Sequence, residues 1–120
     1  MMNTIPPGHT TESVFIFEIE EDTNPMGCAF IVRGYPNPTI AYLVLLLIVE
    51  AAQGRSFGKS VLRDLEALAT SWGCTSMQAV VDSANERALK FWLREGFAEI
   101  RRTELHGLVG QAVVIEKNAL

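Results

Sequence analysis

Cysteine is scarce in this chain. Cys28 and Cys74 are the only two among 120 residues, and they form no C-x-x-C pair. That spacing offers neither a disulfide framework nor a zinc site, and the two thiols read as buried, reduced side chains. Basic clusters are lacking too. Arg101-Arg102 is the one adjacent basic pair, and the net charge is −4. Phosphate backbones are held by clustered Lys and Arg, so this balance argues against a nucleic-acid partner. Long apolar runs are absent: the longest, Ile40 to Val49, covers about ten residues, short of the roughly twenty a membrane-crossing helix needs. No basic stretch followed by an apolar one opens the chain, so no secretion signal is expected. The expectation is a cytoplasmic protein without membrane contact. Internal repeats and low-complexity linkers are missing as well.

What is present suits one globular domain over residues 1–120, with 48% hydrophobic and 20% charged residues. A core of this size is modest, so stability is expected to be marginal or shared with a partner subunit. Met1 to Thr11 reads as a flexible arm or an extra strand. Glu12 to Ile19 alternates with a period of two and predicts a strand. Glu20 to Pro25 predicts a turn, Cys28 to Arg33 the returning strand, and Gly34 to Pro38 a loop. Ile40 to Val49 has no polar face, which predicts a strand covered on both sides, with helices on each face of the sheet. Ala51 to Gly58 is a turn. Val61, Leu62, Leu65, Leu68 and Trp72 then form one helical stripe that stops at Gly73.

Ser76 to Asp82 alternates again, so strand, helix and strand make a right-handed βαβ unit. Ser83 or Asn85 opens a second helix, with Ala88, Leu89, Trp92 and Leu93 inward and Gly96 as its stop. Glu99 to His106 and Gln111 to Lys117 predict two closing strands.

The main chemical signal is Gln53-Gly54-Arg55-Ser56-Phe57-Gly58-Lys59-Ser60, between the apolar strand and the first helix. Small residues there allow close backbone approach to a ligand. The first amides of a helix lack internal partners, and the helix dipole adds positive potential, so the junction suits an anion. Arg55 and Lys59 add charge. The plain alternative is a tight turn with a solvated basic edge. A phosphate-binding P-loop is another alternative, because Gly58-Lys59-Ser60 and the later apolar run ending in Asp82 mimic its parts. That pattern, however, needs four residues between its first Gly and Gly-Lys-Ser. Gly54 stands one residue too close.

Gln53, Ser56 and Gly58 resemble the Gln/Arg-x-x-Gly-x-Gly/Ala motif of the GNAT (N-acetyltransferase) superfamily, with Ser in place of its first glycine. Downstream, Asn85, Ala88, Phe91 and Trp92, followed by Gly96-Phe97, resemble that family's Asn-x-x-Ala-x-x-aromatic-Tyr and Gly-Phe segment. The resemblance spans about Val14 to Lys117. Two motifs in the expected order on the expected elements reinforce each other.

The resemblance implies an α/β fold with a mixed, mostly antiparallel central sheet, a β-α-β-α core and N-terminal helices largely missing. It implies acetyl-CoA as cofactor and an amine of a small molecule or an exposed amino group as acceptor. The pantetheine arm would pair with Leu46, Leu47, Ile48 and Val49. The pyrophosphate would lie on Gln53, Gly54, Arg55, Ser56, Phe57, Gly58 and Lys59, while Asn85, Phe91 and Trp92 would line the arm. The Ile48 amide would polarise the thioester carbonyl.

Trp92 stands where the family often has a Tyr acid, and an indole cannot replace it. A slow enzyme and a non-catalytic acyl-CoA-binding module therefore both remain open. Tyr42, Glu50 and His106 are the acceptor-side candidates; as plain structure, Tyr42 is a core aromatic and His106 a hairpin-tip residue. The reduced N-terminal region leads to the expectation of a homodimer, in which a second subunit walls the acceptor site.

Overall fold

The computed structural model describes residues 2–4, 13–49 and 57–120. The strands are β1 (Met2–Thr4), β2 (Val14–Glu21), β3 (Asn24–Arg33), β4 (Ile40–Ile48), β5 (Ser76–Asp82), β6 (Ala98–Thr103) and β7 (Ala112–Asn118). The helices are α1 (Phe57–Ser71) and α2 (Glu86–Arg94). The strands form one sheet in the order β1-β2-β3-β4-β5-β7-β6. All neighbouring pairs are antiparallel except β4–β5, which α1 connects in parallel. This is the mixed, mostly antiparallel α/β architecture that the sequence implies.

The turn expected over Glu20 to Pro25 contracts to Asp22-Thr23. Both have positive φ (51° and 69°), and the strands continue through Glu21 and from Asn24. Two consecutive left-handed residues make a turn whose twist matches the paired strands, so the polar residues beside it stay in the ladder. The closing strands likewise shift, to Ala98–Thr103 and Ala112–Asn118.

Alternation sorts the side chains. Phe17, Ile19, Ala29, Ile31, Ala41, Leu43, Met77, Ala79, Val81, Val113 and Ile115 join one buried cluster with Val61, Leu62, Leu65 and Ala69 of α1 and Trp92 of α2. Both helices therefore pack on the same face. Lys117 confirms their adjacency: its Nζ lies 3.0 Å from Glu66 Oε2 on α1 and 3.0 Å from the Glu95 carbonyl at the end of α2.

The expectation of helices on each face is thus corrected among the described residues. The apolar run of β4 has a different cause. Its first half, Ile40, Ala41 and Leu43, is buried at the centre of the sheet, while Val44, Leu45, Leu47 and Val49 are exposed. Leu68 and Trp72, expected on the inward stripe of α1, are half-buried at its edge, with Trp72 against Phe15 at 4.8 Å. Leu93, also expected inward, is 46% exposed, because α2 turns its Ala88, Leu89 and Trp92 side to the cluster instead.

Candidate functional site

Strands β4 and β5 run side by side only from Ile40–Ser76 to Leu43–Ala79. Beyond that point β5 stays paired with β7 through Asp82, while β4 continues along β3 as far as Ile48. The register of β3 and β4 slips between Phe30 and Ile31, which leaves Val44 unmatched as a bulge. A bulge bends its strand and raises local twist, which suits a strand leaving its neighbour. The Val49 amide donates to the Met26 carbonyl at 2.8 Å. Alternation then directs the Leu46 and Ile48 amides to the opposite edge, towards the opened gap.

The gap leads into a groove of about 770 Å³ lined by Leu46, Leu47 and Ile48 on one side. Gly58 and Lys59 of the first turn of α1 line its end, and Asn85, Ala88, Phe91 and Trp92 line the α2 wall. That size falls within the roughly 300–1,000 Å³ of small-molecule sites. Gly58 stands close to the α2 wall: a Cβ there would touch the Phe91 ring at 3.6 Å, an ordinary contact distance. The first amides of α1 point out of the helix at this corner, so the groove has an anion-favouring end. Its walls are apolar where a chain-like ligand would lie. These residues fit a long anionic thioester such as acetyl-CoA.

The α2 wall is fixed by its own start. Asn85 is the N-cap, and its Oδ1 accepts from the Ala88 amide at 3.1 Å, which decides between the two expected openings. Gly96 (φ 101°) stops the helix, and the Phe97 amide donates back to the Trp92 carbonyl at 3.1 Å. Trp92 is buried, with Phe91 and Phe97 edge-on at 5.4 and 5.0 Å. It forms the floor of the groove and part of the core at once.

Asp82, at the end of β5, holds the junction in front of α2. Its carboxylate accepts from the Ala84, Val109 and Gly110 amides, each at 2.9 Å. These bonds, that of Ala84 foremost, hold its pKa below the ordinary aspartate value against an opposing desolvation. Ser83 adds two more ties, its amide to the Gln111 carbonyl and its Oγ from the Gln111 amide, at 2.8 and 2.9 Å. An Asp so committed is a strut and not a free magnesium ligand, which removes the P-loop comparison at that position.

Of the residues singled out from sequence, the groove brings together Leu46, Leu47, Ile48, Gly58, Lys59, Asn85, Phe91 and Trp92. Phe57 begins α1 and packs half-buried on the core. Gln53, Gly54, Arg55, Ser56 and Glu50 lie outside the described residues. Val49 is not in the groove and lies with Pro25 and Cys28 in a shallow depression.

Tyr42 also lies apart. Strand alternation turns it to the face opposite the helices, where its ring meets Tyr35 at 5.3 Å. Burial, with Tyr35 adding, raises its pKa despite Arg101, so it is a neutral donor at neutral pH and not a base. His106 sits exposed in the turn between β6 and β7, away from the groove lining. Sequence reasoning missed Arg87, Lys90, Arg94 and Glu95 on the groove wall. Their spacing along α2 carries the signal, but exposed charges on a helix ordinarily read as a solvated face.

Comparison with known proteins identifies the family. The Acetyltransferase (GNAT) family matches residues 5–97. An acetyltransferase from Thermus thermophilus is 28% identical, with a TM-score of 0.74 over 89% of this chain. This chain spans 65% of that protein's length. A GNAT family acetyltransferase from Elizabethkingia anophelis with acetyl-CoA bound shares the fold at a TM-score of 0.82 and 9% identity, covering 98% of this chain and 97% of that one. A Bacillus subtilis acetyltransferase in complex with CoA superimposes at 0.77 and 15% identity, covering 91% and 79%. With the family's match running from ahead of β2 to just past the end of α2, the chain belongs to the GNAT acetyltransferase family.

Proposed function

We propose that this protein is an acetyl-CoA-dependent N-acetyltransferase that acts on an amine of a small molecule or an exposed amino group, in the cytoplasm. The observation that carries the reading is the departure of β4 from β5 after Leu43, which opens a groove onto the first turn of α1. Acetyl-CoA supplies an activated acetyl thioester. The chain's own residues do the rest. The Leu46–Ile48 edge offers backbone groups to the amide-bearing arm, and an amide of that edge polarises the thioester carbonyl. Phe91 and Trp92 exclude water from one side, and Asn85 holds the start of α2 in place. Gly58 and Lys59 receive the pyrophosphate, with the loop Gln53–Ser56 expected to add its amides.

Trp92 favours a second reading, a non-catalytic acyl-CoA-binding module. Its indole can donate one hydrogen bond but cannot protonate a departing thiolate at neutral pH. Absent acid catalysis typically slows a reaction by about 10²–10⁴. Calorimetric titration of acetyl-CoA, followed by thioester turnover with a panel of amines, separates the readings. Micromolar binding with turnover supports the transferase, and binding without turnover on any amine supports the module. Absence of binding would remove both.

We retain a homodimer as part of this reading. Leu45 and Leu47 are 39% and 54% exposed, and covering apolar area yields about 25 cal/mol per Å². Sedimentation at micromolar concentration tests it, and a monomer would count against it.

A further inference from the structure

The two helices beside the groove meet at its corner and again farther along. At the corner, Gly58 of α1 lies beside the Phe91 ring of α2. Farther along, the Arg63 guanidinium of α1 reaches the Glu95 carboxylate at the end of α2, Nη2 to Oε1 at 2.7 Å. This pair closes a ring. Arg63 Nη1 donates to Glu66 Oε2 at 2.8 Å, and Lys117 Nζ of β7 donates to the same oxygen at 3.0 Å. Lys117 Nζ also donates to the Glu95 carbonyl at 3.0 Å. Gly96 leaves space for that lysine, since a Cβ there would press on Lys117 Cε at 3.2 Å. The ring ties α1, α2 and β7 together, with Glu95 on the groove lining and Arg63 outside it.

Glu95 occupies a costly place. Its side chain is 4% exposed, and it caps the C-terminus of α2. A helix C-terminus disfavours negative charge, and a buried carboxylate must be paired. Well-packed apolar side chains are often as stabilising as a buried ion pair, or more so. Stability alone therefore gives no reason for a carboxylate here. What the pair adds is direction. The apolar packing of Trp92 is non-directional and tolerates a slide or roll of α2. A charge-assisted guanidinium fork fixes distance and angle. At 1.5 Å per residue, the Arg63–Glu95 contact lies about 7.5 Å beyond Gly58 along α1 and about 6 Å beyond Phe91 along α2. Two contacts so separated set the angle between the helices, and with it the width of the groove.

We propose that Arg63 is a positioning residue: through Glu95 it holds the α2 wall, with Phe91 and Trp92, at the distance from the first turn of α1 that acetyl-CoA requires. The proposal rests on the acyl-CoA reading of the groove. Arg63 acts through the placement of α2 and not by touching the ligand.

The test is calorimetric titration of the full chain with acetyl-CoA, beside urea denaturation. The double variant R63M/E95L removes one cation and one anion, so net charge is unchanged, and Glu66 keeps Lys117. It should unfold at the same urea concentration as the wild type or a higher one. Its acetyl-CoA affinity should nevertheless fall at least about fivefold, within the range by which residues without ligand contact alter binding. A merely structural pair would not separate the two readouts. The sign separates the roles as well: if Glu95 acted only by its charge, its removal would tighten binding of an anionic ligand. R63K returns a cation against Glu95 and should lose less affinity than the double variant.

A stable R63M/E95L with unchanged or tighter binding would overturn the positioning role and leave the acyl-CoA groove standing. A larger loss in R63K than in R63M/E95L would overturn it too. Should the leucine variant not fold, R63Q/E95Q removes the same two charges and is read by the same criterion. No binding by the wild type would remove the acyl-CoA reading, and the positioning role with it.

Discussion

Asp82 shows how one side chain joins two regions that sequence reading treats separately. Its carboxylate takes amides from Ala84 ahead of α2 and from Val109 and Gly110 in the β6–β7 connection. Replacement Asp82→Asn keeps the shape but turns one acceptor oxygen into a donor group, set against backbone N–H groups that need acceptors. The expected outcome is faster amide exchange at Ala84, Val109 and Gly110 and weaker acetyl-CoA binding, because the start of α2 loses its anchor. The pH sign follows from the lowered pKa. The stabilisation is fully present above the ordinary aspartate value, near 4, and fades as pH falls through the lower folded value. Wild-type thermal unfolding should therefore lose a step of stability on acidification that Asp82→Asn lacks; identical pH profiles would refute the role. Trp92 gives a second test at this scale. Trp92→Tyr supplies a hydroxyl acid but removes ring volume from the core, so turnover should rise at least about tenfold while unfolding free energy falls by about 1–2 kcal/mol. Unchanged turnover with normal acetyl-CoA binding would speak for the module.

At the scale of elements, the strand β4 is the easiest to find and the hardest to interpret. Its apolar run predicts a strand from Ile40 to Val49, and β4 spans Ile40–Ile48. A run without alternation, though, cannot say whether it is buried on both faces or leaves its partner halfway. That depends on the register slip between Phe30 and Ile31, which no local pattern marks. The helix stops are legible because glycine alone tolerates positive φ freely, and Gly73 (84°) and Gly96 (101°) both adopt it. The cations of α2 are not legible as lining, because side-chain spacing gives a face but not what the face looks at. One glycine tests the groove wall directly. A Cβ on Gly27 would run into the carbonyl oxygen of Leu47, on the strand that lines the groove. Gly27→Ala should push β4 from β3, costing about 1–3 kcal/mol of stability as overpacking does. It should also weaken acetyl-CoA binding beyond what unfolding explains. Urea denaturation and titration of the folded variant read the two effects apart, and unchanged affinity would mean that Leu46–Ile48 do not hold the ligand.

The whole molecule has an unequal pair of faces. Both helices, the fully buried Ile19, Ile31, Leu43, Leu62, Leu65, Met77 and Ile115, and the groove corner lie on one side of the sheet. The layer order is not legible in the sequence, because full apolarity of β4 predicts cover on both faces, whereas the helices' own stripes fix only that each is covered once. On the other face, strand alternation places Tyr42, Leu45 and Leu47, paired through the register with Val32, Phe30 and Cys28. Leu45 lies outside the groove lining, so it separates assembly from ligand binding. A charge there would not disturb the helix-side cluster, yet it would have to be desolvated in any dimer that covers this face. Leu45→Glu is therefore expected to lower dimer affinity by about 1–3 kcal/mol, the usual cost of burying an unmatched polar group, and to leave acetyl-CoA affinity within about twofold, since separated sites without shared partners act additively. Sedimentation across a concentration series, run beside calorimetry, reads both. A dimer as tight as the wild type would show that association, where it occurs, uses another surface, and the exposed leucines would then need no partner to explain them.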